Sequence, residues 1–347
     1  MRPRTRVLPS AALLLSSALF LAACGTSDTS EPADMGGAIP QPSPIPRNPD
    51  GRVIPLPAGQ DAVSDLERAN GDILGVRTPS ALSVGSIGAF GAGEQKVLDI
   101  DPGCGDLTAT GDTFVLPCPQ GVYLVDSASP DLSDLRETEN PATVAVLTST
   151  GELIAGNNED ATLTIYREGT DPKTFKVASP TDQMIAVEVD GRHDAVYRSN
   201  NANTTIQDLD WPNNKMGATL RVGLGVGQIA GGEDGLAVVS DNRGGQIAIY
   251  NADDVIRLQM TAPVDQSPWG VAWDAPHALA WIASTSDNQL AGYQISAGVP
   301  EEKYRLNTVA NALNVVVLDD ASLVAASASG DGLQIIDNPA SQKAQNQ

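Results

Sequence analysis

A β-hairpin pattern that recurs about every 42 residues is the feature that most constrains this fold. In residues 236–251, two short apolar runs flank a polar turn that contains Gly244 and Gly245, as in two strands joined by a tight turn. The first aliphatic residue of the second strand marks each copy: Leu82, Val122, Leu163, Ile206, Ile247, Leu290 and Leu333. These seven anchor residues lie 40 to 43 residues apart.

A period near 42 is typical of β-propeller blades and of helical repeats of the HEAT and armadillo type. The local pattern is one of short strands rather than of helical faces, which favours the propeller. We therefore predict an all-β, seven-bladed propeller. The copy around Leu82 is the least regular; if it is not a blade, the ring has six blades and residues 96–100 supply an outer strand.

Ring closure is predicted from the two ends of the repeat region. Residues 338–347 are polar and contain no apolar strand, so the last blade lacks an outer strand. Residues 52–56 can supply it, and such pairing removes exposed sheet edges. Pro55 is compatible with this position, because proline is tolerated on an outermost strand.

One inner-strand sequence carries a family resemblance. The run Pro268-Trp269-Gly270-Val271-Ala272-Trp273-Asp274 resembles the innermost-strand motif of YVTN/NHL-type and lactonase-like propellers, which supports the predicted propeller.

The N-terminus is typical of an exported protein. Arg2, Arg4 and Arg6 precede a short apolar run, and Leu21-Ala22-Ala23-Cys24 follows; the run is too short to span a bilayer. The four residues resemble a bacterial lipobox, which implies cleavage before Cys24 and lipidation of its sulfur, with two or three acyl chains for stable anchoring. An ordinary secretory peptide is the alternative.

The sequence therefore divides into four parts: a signal peptide (1–23), a lipidated and disordered Pro/Ser-rich tether (24–50), the propeller (51–338) and a polar tail (339–347). Residues 25–50 are rich in Ser, Thr, Pro, Gly and Asp, a composition that cannot form a core. The expected location is extracytoplasmic, at the cell membrane, with the lipid as the only membrane contact and a monomeric domain.

The charge excludes some partners. The first 23 residues hold three of the 21 basic side chains and none of the 43 acidic ones, so the chain from Cys24 onward carries a net charge of −25. Nucleic acids and anionic lipid surfaces are therefore poor partners.

Two cysteines remain once Cys24 is lipidated, namely Cys104 and Cys118. In an oxidising compartment such a pair favours a disulfide. We expect each cysteine near a strand end of one predicted hairpin, where the two ends approach each other. Two free thiols are the alternative.

Candidate ligand-binding residues lie in the hairpin loops and just before the inner strands. They are Gln60, Gln183, Gln228, Arg243, Trp269 and Asn311. Amides donate and accept hydrogen bonds and an indole stacks on apolar sugar faces, so this set would suit a carbohydrate. The alternative is that the polar loop residues serve only to make turns.

No local enzyme motif is present in the sequence: neither a zinc-binding HExxH helix, nor a nucleophile elbow, nor a phosphate loop. We predict no catalytic residues, no cofactor and no metal, and favour a non-enzymatic role. A lactonase-like hydrolase that uses Arg243 with Asp241 or Asp287 stays open. Calcium at Asp99, Asp101 and Asp106 is a weaker option, because the spacing does not match an EF-hand loop.

The acidic, Ala- and Asp-rich composition with a lipobox and a propeller resembles actinobacterial prolipoproteins of the LppL kind. The resemblance implies a binding or scaffold protein of the cell envelope. It makes an envelope glycolipid or other carbohydrate, or a membrane protein complex, the expected partner.

Overall fold

Seven four-stranded antiparallel sheets form a closed ring in the computed structural model, which describes residues 35–60 and 62–341. Both the propeller class and the seven-blade count are thus confirmed. The copy around Leu82 is a blade, so the six-blade alternative is wrong.

The blades follow one another along the chain. Blade 1 holds β2 (Asp65–Ala69), β3 (Ile73–Arg77), β4 (Ala81–Ser86) and β5 (Lys96–Asp99). Blade 2 holds β6 (Thr108–Thr110), β7 (Thr113–Cys118), β8 (Gly121–Asp126) and β9 (Leu135–Arg136). Blade 3 holds β10 (Val144–Leu147), β11 (Leu153–Gly156), β12 (Thr162–Tyr166) and β13 (Lys173–Lys176).

The second half of the ring repeats the arrangement. Blade 4 holds β14 (Gln183–Val187), β15 (Ala195–Asn200), β16 (Thr205–Asp210) and β17 (Lys215–Arg221). Blade 5 holds β18 (Val226–Gly231), β19 (Leu236–Asp241), β20 (Gln246–Asn251) and β21 (Arg257–Pro263). Blade 6 holds β22 (Pro268–Asp274), β23 (Leu279–Ser284), β24 (Gln289–Gln294) and β25 (Glu301–Asn307). Blade 7 holds β26 (Ala312–Val317), β27 (Leu323–Ser327), β28 (Leu333–Ile336) and β1 (Arg52–Ile54).

The helices are short. α1 spans Ile87–Ala92, and single 3-10 turns occupy Asn70–Asp72, Trp211–Asn213 and Ala275–His277. Within the described residues, no helix has the length and apolar character needed to cross a membrane.

Packing between neighbouring blades explains the anchor residues. Each anchor lies on the third strand of its blade and is at most 1% exposed. The apolar residues form seven clusters, and each cluster joins two adjacent blades; for example, Tyr197 of blade 4 packs with Tyr250 of blade 5. The core is therefore a ring of seams between sheets, and the burial of apolar area there drives folding.

β1 closes the ring as predicted. It pairs antiparallel with β28, with Arg52 opposite Ile335 and Ile54 opposite Leu333. The strand ends at Ile54, just before Pro55. Gly51 and Gly332 flank this pairing with positive φ angles, and a Cβ atom on Gly332 would lie 2.2 Å from the Ile54 carbonyl oxygen. Glycine is therefore needed there for the close approach of the two strands.

The irregular first copy has a physical cause. α1 interrupts the connection between β4 and β5, and its Phe90 is buried against the seam between blades 7 and 1. A Cβ atom on Gly85 would lie 3.1 Å from the Ala89 Cβ. Three residues after the anchor, the other copies carry an apolar side chain, namely Val125, Tyr166, Leu209, Tyr250, Tyr293 and Ile336. In the first copy α1 packs against Gly85 instead.

A disulfide joins Cys104 to Cys118, and both residues are buried. Cys118 ends β7 as expected. Cys104, however, lies in the connection between blades 1 and 2 and not on a hairpin strand. The expected geometry was therefore wrong for Cys104: the bridge ties a loop to the blade that follows it.

Candidate functional site

The inner strands of the blades line a central channel. Its cavity measures about 590 Å³ and runs from residues near the start of these strands, such as Gln183 and Gln228, to the turns that follow them, such as Asp190 and Asp234. Because the inner strands surround one axis, equivalent positions of every blade lie on the channel wall. Side chains from distant parts of the sequence therefore face the same channel.

Three carboxyl groups meet in the channel wall between blades 1 and 2. Asp65 is 6% exposed, and its carboxylate accepts hydrogen bonds from the backbone N–H groups of Leu66 (2.9 Å) and Leu107 (2.7 Å). Asp106 shares a side-chain hydrogen bond with Asp65, and Glu67 follows on the same strand. We call these three residues the carboxyl cluster.

The carboxyl cluster holds protons more tightly than free carboxyls do. Burial is the main cause that raises the pKa of Asp65, Glu67 and Asp106. The negative charge of Asp65 raises the pKa of both Glu67 and Asp106 further, while Arg77 acts in the opposite direction on Asp65 and Asp106. Burial therefore opposes the ionisation of all three carboxyl groups.

Amide side chains occupy the wall of blades 4, 5 and 7. Gln183 joins blade 4 to blade 5, because its Nε2 donates to the Gly227 carbonyl (2.7 Å) and its Oε1 accepts from Ile229 N–H (3.1 Å). Gln228 Nε2 donates to Asn314 Oδ1 at 2.6 Å. Glu67, Gln228 and Asn314 are each the third residue of their inner strand, so they occupy equivalent positions in blades 1, 5 and 7.

Asn314 carries a donor that no described residue accepts from. The residue is 3% exposed, and its Nδ2 has no hydrogen-bond partner among the described residues. Trp273 Nε1, on another channel-lining residue, is likewise unpartnered within the described part of the chain. Unpartnered buried donors are uncommon and disfavoured in native proteins, so these two donors favour a ligand or water that offers acceptor oxygens.

The channel is strongly acidic. The acidic residues that line it are Asp65, Glu67, Asp106, Glu188, Asp190, Asp194, Glu233 and Asp234. Within the described ranges, Arg68 is the one cationic residue of the lining, and it pairs with Asp72 (3.0 Å) and Asp319 (2.7 Å). The channel therefore disfavours anionic ligands and favours neutral or cationic ones.

The six predicted ligand-binding residues do not form one ring. Gln183 and Gln228 line the channel, whereas Gln60 accepts from Ser83 Oγ on the third strand of blade 1 and is not in the channel lining. The Trp269 ring lies beside Gly227, where a Cβ atom would be 3.4 Å from it. Arg243 packs over Gly225.

Asp241 has a structural role in its hairpin loop. Its Oδ1 accepts hydrogen bonds from the backbone N–H groups of Leu224, Gly225 and Gly244 at 2.9–3.0 Å, and the residue is 2% exposed. The carboxylate thus fixes the turn.

The sixth candidate, Asn311, contacts the chain's own N-terminal segment, which we define as residues 36–50. This segment was predicted to be a solvated tether. It runs along the hairpin-loop face of blades 5 to 7. At one end the Gly36 N–H donates to the Leu224 carbonyl, and at the other the Asp50 N–H donates to the Asn307 carbonyl. Cys24, the predicted lipidation site, lies outside the described residues.

Sequence reasoning missed Asn314, Asp65, Glu67 and Trp273 as channel-lining candidates. They lie on the inner strands of blades 1, 6 and 7, and only the placement of those strands around the axis brings them together. Asp106 was named as a calcium ligand, but residues 35–60 and 62–341 contain no group of three or more His, Cys, Asp or Glu side chains placed to hold a metal ion.

Comparisons with known proteins bear on the fold alone. No protein-family model matches the sequence, and no curated protein does either. The structure is similar to the WD40 repeats of RRP9 (TM-score 0.65, 11% identity, 85% of this chain and 99% of that chain). It is also similar to the Cps50 (Swd1) β-propeller domain of Myceliophteria thermophila (TM-score 0.62, 13% identity, 80% of this chain and 97% of that chain). Streptogramin B lyase is similar as well (TM-score 0.62, 9% identity, 82% of this chain and 95% of that chain).

Proposed function

We propose that this protein is an exported, lipid-anchored β-propeller that serves as a binding or scaffold module of the bacterial cell envelope. Its partner is an envelope carbohydrate or glycolipid, or a membrane protein complex. The observation that carries the proposal is the acidic, amide-bearing channel, in which the Asn314 Nδ2 donor has no partner among the described residues. Propellers host both enzymes and interaction platforms, so the site and not the fold supports the choice.

A neutral, polyhydroxylated ligand suits this channel best. Sugar hydroxyls both donate and accept, which matches carboxyl groups, amides and unpartnered N–H donors on one wall. The acidic lining disfavours phosphorylated sugars. A glycolipid headgroup such as trehalose, or a neutral arabinogalactan fragment, is therefore a suitable probe.

Calorimetric titration of the chain with these sugars tests the channel proposal. We expect saturable binding by the wild type and about 5- to 10-fold weaker binding for Gln228→Ala and for Asn314→Ala, the loss expected for one hydrogen bond. Gln60→Ala is the matched control, because that amide is not in the channel lining. Absence of binding at millimolar sugar would argue against a carbohydrate ligand and leave a protein partner.

The anchor is tested separately. The lipobox at residues 21–24 supports lipidation of Cys24, so a fatty-acid label should appear in the wild type and disappear in Cys24→Ser. Labelling that persists in Cys24→Ser would contradict the anchor at this residue.

A hydrolase is the second candidate, and the carboxyl cluster favours it. Carboxyls with a raised pKa in a cleft are typical of acid–base sites as well as of structural networks. Turnover of a panel of lactones, abolished in Asp106→Asn and retained in Arg243→Ala, would support hydrolysis in the channel. Absence of turnover across the panel would favour the binding role.

A further inference from the structure

We infer that the hairpin-loop face has a second binding site, a cleft between blades 6 and 7 that accepts an extended, proline-flanked serine segment of a partner protein. The chain's own residues 41–44 occupy this cleft in the structure. We define the blade 6–7 cleft by four residues, namely Ser267, Thr285, Asn288 and Asn311.

The cleft recognises the occupant through polar contacts at three successive points. Ser267 Oγ accepts from the N–H of Gln41 at 2.8 Å. Asn311 Oδ1 accepts from the N–H of Ser43 at 2.9 Å, and the N–H of Asn311 donates to Ser43 Oγ at 2.8 Å.

The Ser43 hydroxyl both donates and accepts a hydrogen bond in the cleft. Ser43 Oγ–H donates to the Thr285 carbonyl at 2.8 Å, so the hydroxyl uses its donor and an acceptor lone pair. One residue further on, Asn288 Nδ2 donates to the Pro44 carbonyl at 2.9 Å. A hydroxyl satisfied in both roles specifies Ser or Thr at the centre of the segment.

The occupant does not satisfy the whole cleft. Asn288 is 4% exposed, and its Oδ1 has no hydrogen-bond partner within the described residues. Pro44, the residue it contacts, carries no N–H to donate. A partner segment with a donor near this oxygen would make a further hydrogen bond that the chain's own segment does not make.

The occupant has the chemistry of a transferable ligand. Prolines on alternate positions from Pro40 to Pro46 favour an extended chain that loses little entropy on binding. The apolar side chains of Ile39 and Ile45 are 82% and 90% exposed, so the flanking residues contribute little to recognition. The cleft therefore recognises the backbone and one hydroxyl of the segment, and other side chains can replace those of the flanking residues.

Tethering explains why the chain's own segment is bound. A segment linked to its site acts at an effective concentration in the millimolar range, so an outside segment must compete with it. This site rests on the proposed role as a binding module but uses residues distinct from those that bind sugar in the channel. Its failure would therefore leave the channel proposal standing.

Fluorescence anisotropy on the full chain in detergent tests the inference. The probe is a labelled peptide with the sequence of residues 38–48, and the control peptide carries Val in place of Ser43. The protein is compared as wild type and as Gln41→Pro/Ser43→Val, which removes the Gln41 donor and the Ser43 hydroxyl and frees the cleft. Hydrogen exchange confirms that the segment is released.

We expect the released variant to bind the probe at least 10-fold more tightly than the wild type and to discriminate against the control peptide. Asn288 has a left-handed backbone (φ 55°), which aspartate also tolerates. Adding Asn288→Asp removes the donor to the Pro44 carbonyl and should weaken binding about 10-fold. Equal binding of both peptides, or no gain in the released variant, would overturn the inference. So would a wild-type dimer in light scattering, because the occupant would then be a second copy.

Discussion

The carboxyl cluster shows how single side chains set the character of the channel. Asp65 and Glu67 lie on β2, and Asp106 lies in the connection between blades 1 and 2. Burial opposes the ionisation of all three, and the charge of Asp65 opposes that of Glu67 and Asp106 further. Buried like charges usually cost stability. Their presence is therefore easier to explain by a ligand than by folding.

Glu67→Gln tests this cost through its pH dependence. Because the folded protein holds the Glu67 proton more tightly than the unfolded chain, stability falls as the pH rises from about 4.5, the ordinary pKa, through the raised pKa. We expect Glu67→Gln to stabilise the fold by about 1 kcal/mol at pH 7.5, which raises Tm by about 2–4 °C in a domain of this size class. At pH 4 the variant and the wild type should have the same Tm. Glu94→Gln, on the surface, is the control. A lower Tm at pH 7.5 would contradict the cause assigned to the pKa shift.

Gly332 tests the closure of the ring at a single residue. Both Gly332 and Gly298 have positive φ, but a Cβ atom clashes with the Ile54 carbonyl at Gly332 and meets open space at Gly298. We expect Gly298→Ala to lower the free energy of unfolding by about 1 kcal/mol and Gly332→Ala by about 3 kcal/mol, because the latter also displaces β1. Urea unfolding measures both; equal effects would contradict the close approach of the two strands.

At the scale of elements, β1 determines whether the ring is closed. It covers the edge of β28 with three paired residues, and its Ile54 joins the seam between blades 7 and 1. Without it, blade 7 has three strands and an open edge.

Deletion of residues 51–57 should lower Tm by about 10 °C, which corresponds to a loss of roughly 3 kcal/mol in a domain of this size class. Deletion of residues 41–47 is the matched control of equal length, because it removes part of the N-terminal segment and leaves β1. We expect this control to lower Tm by less than about 3 °C, because the segment contributes a few part-buried hydrogen bonds and no strand pairing. Similar Tm values for the two deletions would refute closure by β1.

The disulfide ties the connection between blades 1 and 2 to β7 of blade 2. A loop of about 15 residues closed by a disulfide contributes about 3 kcal/mol, and Cys104 and Cys118 are 14 residues apart. Reductant should lower the free energy of unfolding by about that amount in the wild type and have no effect on Cys104→Ala/Cys118→Ala. An identical response of the two proteins would contradict a formed bridge.

The repeat made most elements predictable. Anchor spacing located the third strand of every blade, and the polar C-terminus with residues 52–56 predicted closure, because these features are local in sequence. α1 was not predicted, since a six-residue insertion with two internal glycines has no helical periodicity. The contacts of Gln41 and Ser43 in the N-terminal segment span more than 220 residues and leave no local pattern.

The candidate site was predictable only in part. Gln183 begins its inner strand and Gln228 is the third residue of its own, and both amides are recognisable in the sequence as polar residues beside apolar ones. Asn314 and Glu67 lie inside inner strands. Which side chains of such a strand face the channel depends on its register with the neighbouring strand, and the sequence does not give that register. A sequence pattern identifies strands, but the direction in which a side chain faces depends on how the strands surround the axis.

At the scale of the whole molecule, the ring separates two surfaces with different chemistry. The acidic channel offers carboxyls and amides to a neutral ligand, while the blade 6–7 cleft binds an extended segment through hydrogen bonds. Seven inter-blade seams hold the two in fixed relation. Such a rigid platform with separate sites is what a binding or scaffold role requires.

A crystal structure of the protein grown with saturating trehalose or an arabinogalactan fragment tests the central claim most directly. We predict electron density for the sugar in the central channel, with an oxygen within hydrogen-bonding distance of Asn314 or Gln228. Sugar density on another face, or a channel without sugar at saturating ligand, would contradict the channel as the recognition site.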